Sequence, residues 1–154
     1  MLEMNQQRRR VMRKILLAFD GSDSSKRALQ YVIDFVRMHA ATLEVHLLNV
    51  QHEPAIYGEY INQEMLGNMR NSLKAAANEA LDWPAGQLQA AGINHEKHTA
   101  FGSVAEQVGI AAKHLQCDTV VMGTRGLGSF TGMLLGSAAT RVVHEVSVPV
   151  LLVK

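Results

Sequence analysis

"VVMGTRGLGSFTGMLLGSAATRVV", residues 120 to 143, sets five glycines between two apolar runs. The first run reads as the end of a short buried strand and the second carries the spacing of a helix. A strand that passes through glycines into a helix is a joint of a parallel α/β sheet, and loops at the carboxyl ends of such strands face ligands. Two known phosphate loops do not fit. A Walker A loop needs Gly-Lys before Ser or Thr, and the chain has no Gly-Lys pair. A dinucleotide fingerprint beginning at Gly126 and Gly128 needs glycine at 131, where threonine stands, and belongs after the first strand instead of the fourth.

What remains is Gly123-x-x-Gly126, nine residues, then Gly136-Ser137. Gly123 and Gly126 are expected to turn the chain off the strand and bring bare amides towards an anion. Gly136 and Ser137 open the helix, so their N–H groups and that of Ala138 join the helix dipole in favouring negative charge, with the Ser137 hydroxyl as a further donor. A phosphate chain fits between the two segments. The same glycines also suit a loop that uses them only for turns and close packing.

The rest of the chain extends the pattern. "KILLAFD" (14–20) is apolar almost throughout, as a strand covered on both faces should be. A helix follows, capped by Ser22 or Ser24, with Ala28, Val32, Phe35, Val36 and His39 on one face. "TLEVHLLNV" (42–50) is a second strand. Residues 63–91 are rich in helix formers, with a break expected at Trp83-Pro84-Ala85-Gly86. "INHEKHTAF" (93–101) is polar enough for an edge strand, and Ser103 with Glu106 offers a capping box to the next helix. "DTVVM" and "VPVLLVK" are the fourth and fifth strands. Five strands separated by helical segments predict a single-domain α/β fold, an open parallel five-stranded sheet with helices on both faces.

Composition narrows the function classes. In 154 residues, 47% are hydrophobic, 19% are charged and the formal net charge is +1, which argues against disorder and against a global pull towards polyanions. No apolar stretch reaches the roughly 20 residues of a membrane span, and no export signal is read at the N-terminus. The lone Cys117, placed before an apolar run, suggests a buried thiol and a cytoplasmic protein. Residues 1–13, "MLEMNQQRRRVMR", read as a flexible basic arm without interleaved aromatics, so nucleic-acid binding is not favoured.

The Gly-x-x-Gly, nine residues, Gly-Ser spacing, followed by "VVHEVSVPVLLVK", resembles the universal stress protein family, in particular its ATP-binding members. "ILLAFDGSDSSKRAL" and "LLNV" resemble that family's first strand and helix and the end of its second strand. The likeness spans residues 14–154, which would form the nucleotide-binding domain. It implies the adenine-nucleotide α-hydrolase-like fold with strand order 3-2-1-4-5, and a ligand at the switch point between strands 1 and 4. By resemblance Asp20 contacts the ribose and adenine end, Ala18 and Val50 line the adenine site with the Val50 backbone reading the base edge, and Met122 and Gly123 lie under the nucleotide. Gly126, Gly136, Ser137 and Ala138 resemble the triphosphate cradle. The Asp20 carboxylate can accept ribose hydroxyls, or it can order the Gly21 turn. Arg125 can reach a terminal phosphate or face water.

The resemblance implies ATP, with Mg²⁺ or Mn²⁺ carried by its phosphates, a role in the stress response, and a homodimer. The fifth strand would lie at the sheet edge and pair with its copy through Val148, Val150, Leu151, Leu152 and Val153; a proline at Leu151 is expected to disrupt it. The alternatives are a slow ATPase or autophosphorylating enzyme, for which no P-loop lysine or evident base is readable, and a nucleotide-free interaction module. Catalytic residues and protein metal ligands are not expected. His95 and His98 fall on opposite strand faces, and His114 with Cys117 lacks a second pair. His39, His46, His52 and His144 read as surface or satisfied histidines. Met65, Leu66, Met69 and Leu73 have the spacing of a core stripe.

Overall fold

The computed structural model describes residues 12–53, 61–127, 132 and 134–154. Residues 1–11, most of the basic arm expected from sequence, lie outside the described residues. The elements run β1 (Lys14–Ala18), α1 (Asp23–His39), β2 (Glu44–Gln51), α2 (Gln63–Ala80), α3 (Asp82–Ala90), β3 (Asn94–Phe101), α4 (Val104–His114), β4 (Thr119–Gly123), α5 (Ser137–Glu145) and β5 (Val150–Val153). All neighbouring strands pair in parallel, in the order β3-β2-β1-β4-β5.

β1 lies at the centre because its residues can be buried on both faces. Ile15 and Leu17 face α1 and α3, packing with Ala28, Leu29, Val32, Ile33 and Leu88. Leu16 faces the other layer, where Val120 and Met122 of β4 meet Ala105, Val108 and Ala112 of α4 and Ala139 and Val142 of α5. Each Val, Leu, Ile or Met among them contributes about 1.5–3 kcal/mol on burial, which holds the helices against the sheet.

Ser22 is the N-cap of α1, its hydroxyl accepting from the N–H of Ser25 at 3.3 Å. The buried stripe of α1 adds Leu29 and Ile33 and drops His39, which is exposed and stacks on Phe35 with centroids 4.7 Å apart. The break expected at Trp83-Pro84 falls earlier, at Leu81. Pro84 then sits in the first turn of α3, where an N–H has no intrahelical acceptor, so proline costs little there. Ser103 is the N-cap of α4 but makes no side-chain capping bond, so the expected capping box is not formed. Met65, Leu66 and Met69 are exposed and Leu73 is half-buried, so α2 does not carry the core stripe its spacing suggested.

Candidate functional site: the crevice between β1 and β4

The strand order reverses between β1 and β4, because β1 continues outward to β2 while β4 continues to β5. Chains leave these two carboxyl ends in different directions and open a crevice of about 500 Å³, mouth included. Ala18, Asp20, Val50, Met122, Gly123, Arg125, Gly126 and Ala138 all line it. Gly136 and Ser137 stand just outside, at the start of α5. Sequence reasoning did not assign Phe19, Ser22, Leu48, Val104 and Ala139 to the site, and they line the same space.

The loop after β4 is fastened to the start of α1. Hydroxyls of Ser22, at 3.2 Å, and of Ser24 donate to the carbonyl of Arg125, and the Arg125 N–H reaches Ser24 Oγ at 3.4 Å. These bonds explain the glycine at 123 differently from the expected turn. Gly123 does not have a positive φ; a Cβ there would collide with Ser24, standing 2.7 Å from its carbonyl carbon. At Gly126 a Cβ would lie 2.8 Å from Asp20 Oδ2. Both glycines admit neighbouring protein groups, and the close packing reading applies to them directly.

Asp20 holds the two lips together. Its Oδ1 accepts from the N–H of Ser22 at 2.9 Å, and its Oδ2 accepts from the N–H of Leu127 at 3.1 Å. The first bond supports the turn at Gly21, whose φ is +84°. Each carboxylate oxygen retains a lone pair for a hydroxyl in the crevice, so both expected roles are chemically compatible.

Across the crevice, α5 begins at Gly136, its N-cap. The Gly136 N–H donates to the carbonyl of Thr124 at 2.7 Å, closing the loop upon itself. The donors left for an anion are therefore one residue later than expected. The N–H groups of Ser137, Ala138 and Ala139 occupy the first turn, have no intrahelical acceptor, and carry the positive end of the helix dipole.

A third polar feature comes from β2. Glu44 donates to Arg13 and Leu48 accepts from Phe19, so strand alternation turns the N–H and C=O of Val50 towards β1 as well. β1 has ended at Ala18 by that level, and the pair faces the crevice with no backbone partner among the described residues. A side-by-side donor and acceptor suit the edge of a nucleobase, with Ala18, Leu48, Val104 and Met122 supplying apolar walls.

The histidine and cysteine reading needs one correction. Cys117 is buried and burial pushes its thiol up to about 11, so with the exposed His114 it offers no ready zinc ligand. His98, however, does have a partner, which is His46 on the neighbouring strand, at 2.8 Å.

An open parallel sheet of this order with its crevice at the switch point defines an adenine-nucleotide α-hydrolase-like α/β protein. The sequence pattern of the Universal stress protein family matches residues 12–154, and the chain belongs to that family. A Thermus aquaticus relative, the universal stress protein in the QAH/OAS sulfhydrylase 3' region, is 34% identical over 145 residues, which cover 94% of this chain and 100% of that one. The solved structure of the hypothetical protein MJ0577 superposes with a TM-score of 0.82 at 28% identity, covering 94% of this chain and 97% of the other. A universal stress protein family protein from Arabidopsis thaliana, solved with AMP bound, has a TM-score of 0.68 at 24% identity and covers 92% and 91%. That last likeness concerns the fold.

Proposed function

We propose that the crevice binds an adenine nucleotide, ATP foremost, and that the protein acts in the cytoplasm as a nucleotide-dependent regulatory dimer of the stress response. The observation that carries the reading is the convergence of three groups on the one crevice: the first turn of α5 at Ala138 and Ala139, the unpaired backbone of Val50, and the Asp20 carboxylate. Phosphates would lie at the α5 amides, the ribose near Asp20 and the base against Val50. The bound AMP of the Arabidopsis protein accords with this reading, although at that identity the weight rests on the residues of this chain.

Mg²⁺ or Mn²⁺ would be held by the phosphates. Among the described lining residues Asp20 is the only carboxylate, and both of its oxygens already accept backbone N–H groups. Apart from Asp20 and Arg125 the described lining has no titratable side chain, which favours holding a nucleotide over turning it over. Arg125 is exposed at the rim, placed to screen a terminal phosphate.

Dimerisation is proposed through β5. The carbonyls of Pro149, just before β5, and of Val153 accept from Val120 and Thr124, so residues 149, 151 and 153 face β4. Val150 and Leu152 direct their N–H and C=O groups to the open edge. A proline at Leu151 would therefore damage the β4–β5 ladder itself, and the informative substitution is at Val150.

Calorimetric titration of wild type and Ala138→Asp with ATP tests the nucleotide site. An acidic residue in the first turn suits the α5 dipole, so the fold should persist, while its charge opposes phosphate. ATP affinity should fall more than about tenfold, equivalent to about 1.4 kcal/mol. Equal affinities with unchanged melting would overturn the placement.

A further inference from the structure

We propose that His46, Glu96 and His98 form a site for one divalent transition-metal ion of the zinc class, separate from the nucleotide crevice. The site lies on the α4 side of the sheet. In the β2–β3 register His46 is opposite Glu96 and Leu48 opposite His98, so alternation puts all three polar residues on one face.

His46 Nδ1 lies 2.8 Å from His98 Nε2, and Glu96 Oε2 lies 3.8 Å from the first and 3.7 Å from the second. The centre of that triangle is about 2.0 Å from every corner, close to the bond lengths zinc makes with imidazole nitrogen and carboxylate oxygen. In a tetrahedral site the ligand atoms stand about 3.3 Å apart, so the histidines must separate by roughly 0.5 Å and the carboxylate close by a similar amount. Glu96 is exposed at the sheet edge and His98 is partly so, which gives both the freedom to adjust. His46 is only 3% exposed and is the fixed member.

The outer contact completes the argument for a ligand. The other nitrogen of His46, Nε2, is 2.8 Å from Glu44 Oε1, and Glu44 also pairs with Lys14 at 3.2 Å. An imidazole that gives its second N–H to a carboxylate presents a bare nitrogen at the first, in a fixed orientation, as metal-ligating histidines do. Two imidazoles and one carboxylate select zinc, cobalt, nickel or copper over Mg²⁺ and Ca²⁺. A bound ion would also clip β3, the polar edge strand, to β2. The histidines come from strands 52 residues apart, so the loop they close is long.

The test is titration of the chelator-stripped full chain with CoCl₂, read by the ligand-field absorption of the cobalt ion, followed by displacement with ZnCl₂ and challenge with MgCl₂. One cobalt per chain, displaced by zinc and untouched by magnesium, is expected. His98→Gln and Glu96→Gln, both at the partly open edge, should each weaken cobalt binding more than about tenfold while circular dichroism is unchanged. His95→Gln, on the opposite face of β3, should bind as wild type. Failure of wild type to saturate with cobalt, wild-type affinity in His98→Gln, or loss of the signal in His95→Gln would each overturn the site. ATP binding is read separately, so either site can fail alone.

Discussion

Gly123→Ala should cost the protein a large part of its stability without any ligand being involved. The new Cβ would collide with the Ser24 hydroxyl and stand 2.7 Å from the Ser24 carbonyl carbon and 2.8 Å from its Cβ. Two of these three atoms cannot swing away, so α1 must move from β4, and α1 is packed on the central strands through Ala28, Leu29 and Val32. Overpacking against backbone costs about 2–4 kcal/mol, which lowers the melting temperature of a domain of this size by about 5–15 °C. Adding Ser24→Ala removes only the hydroxyl clash and should restore less than half of the loss. Gly126→Ala is the contrast. Its Cβ meets only Asp20 Oδ2, which can rotate at the expense of the Leu127 hydrogen bond, for about 1 kcal/mol. Calorimetric melting of the three variants decides the matter. A Gly123→Ala protein melting within about 2 °C of wild type, or a Gly126→Ala protein less stable than Gly123→Ala, would refute the close-contact explanation.

Val150→Pro should remove an open-edge donor while sparing the β4 ladder, leaving a folded monomer by light scattering; an unchanged dimer would count against pairing through β5. Cys117 should oppose stability only at alkaline pH. Its folded value of about 11 exceeds the ordinary thiol value, so its contribution is intact below about pH 8.5 and is lost as pH rises towards 11. Urea midpoints of wild type should then fall more steeply between pH 8 and 10.5 than those of Cys117→Ala; parallel curves would show that the thiol is not held neutral. Leu17→Ala, at the centre of the sheet, should lose about 2–5 kcal/mol in the same assay.

The fold was legible because its determinants are local. Apolar runs such as Ile15–Phe19 and the helical face from Ala28 to Val36 carry their period in the sequence, while the strand order, which is not local, is the one the family resemblance implied. The spacing from Gly123 to Ser137 likewise marked both lips of the crevice. What those glycines touch was not legible, since Ser24 and Asp20 lie about a hundred residues away. The same holds for Gly136, whose N–H goes to Thr124, whereas the backbone role of Val50 was implied by the family resemblance and its physical reason is where β1 stops. The pairing of His46 with His98 was not legible for a related reason. Spacing within β3 shows only which face His98 takes, while its partner is set by the β2–β3 register. The stripe on α2 misled because helical period reports a face, not what covers it.

The central claim is that an adenine nucleotide sits between β1 and β4. Titrating isotope-labelled protein with Mg·ATP and following amide chemical shifts tests it most directly. The account predicts the largest changes at Val50 and at Ser137, Ala138 and Ala139, with a smaller response at Leu127 through Asp20. Saturating ATP that leaves these amides unmoved, or that shifts a different surface, would contradict it.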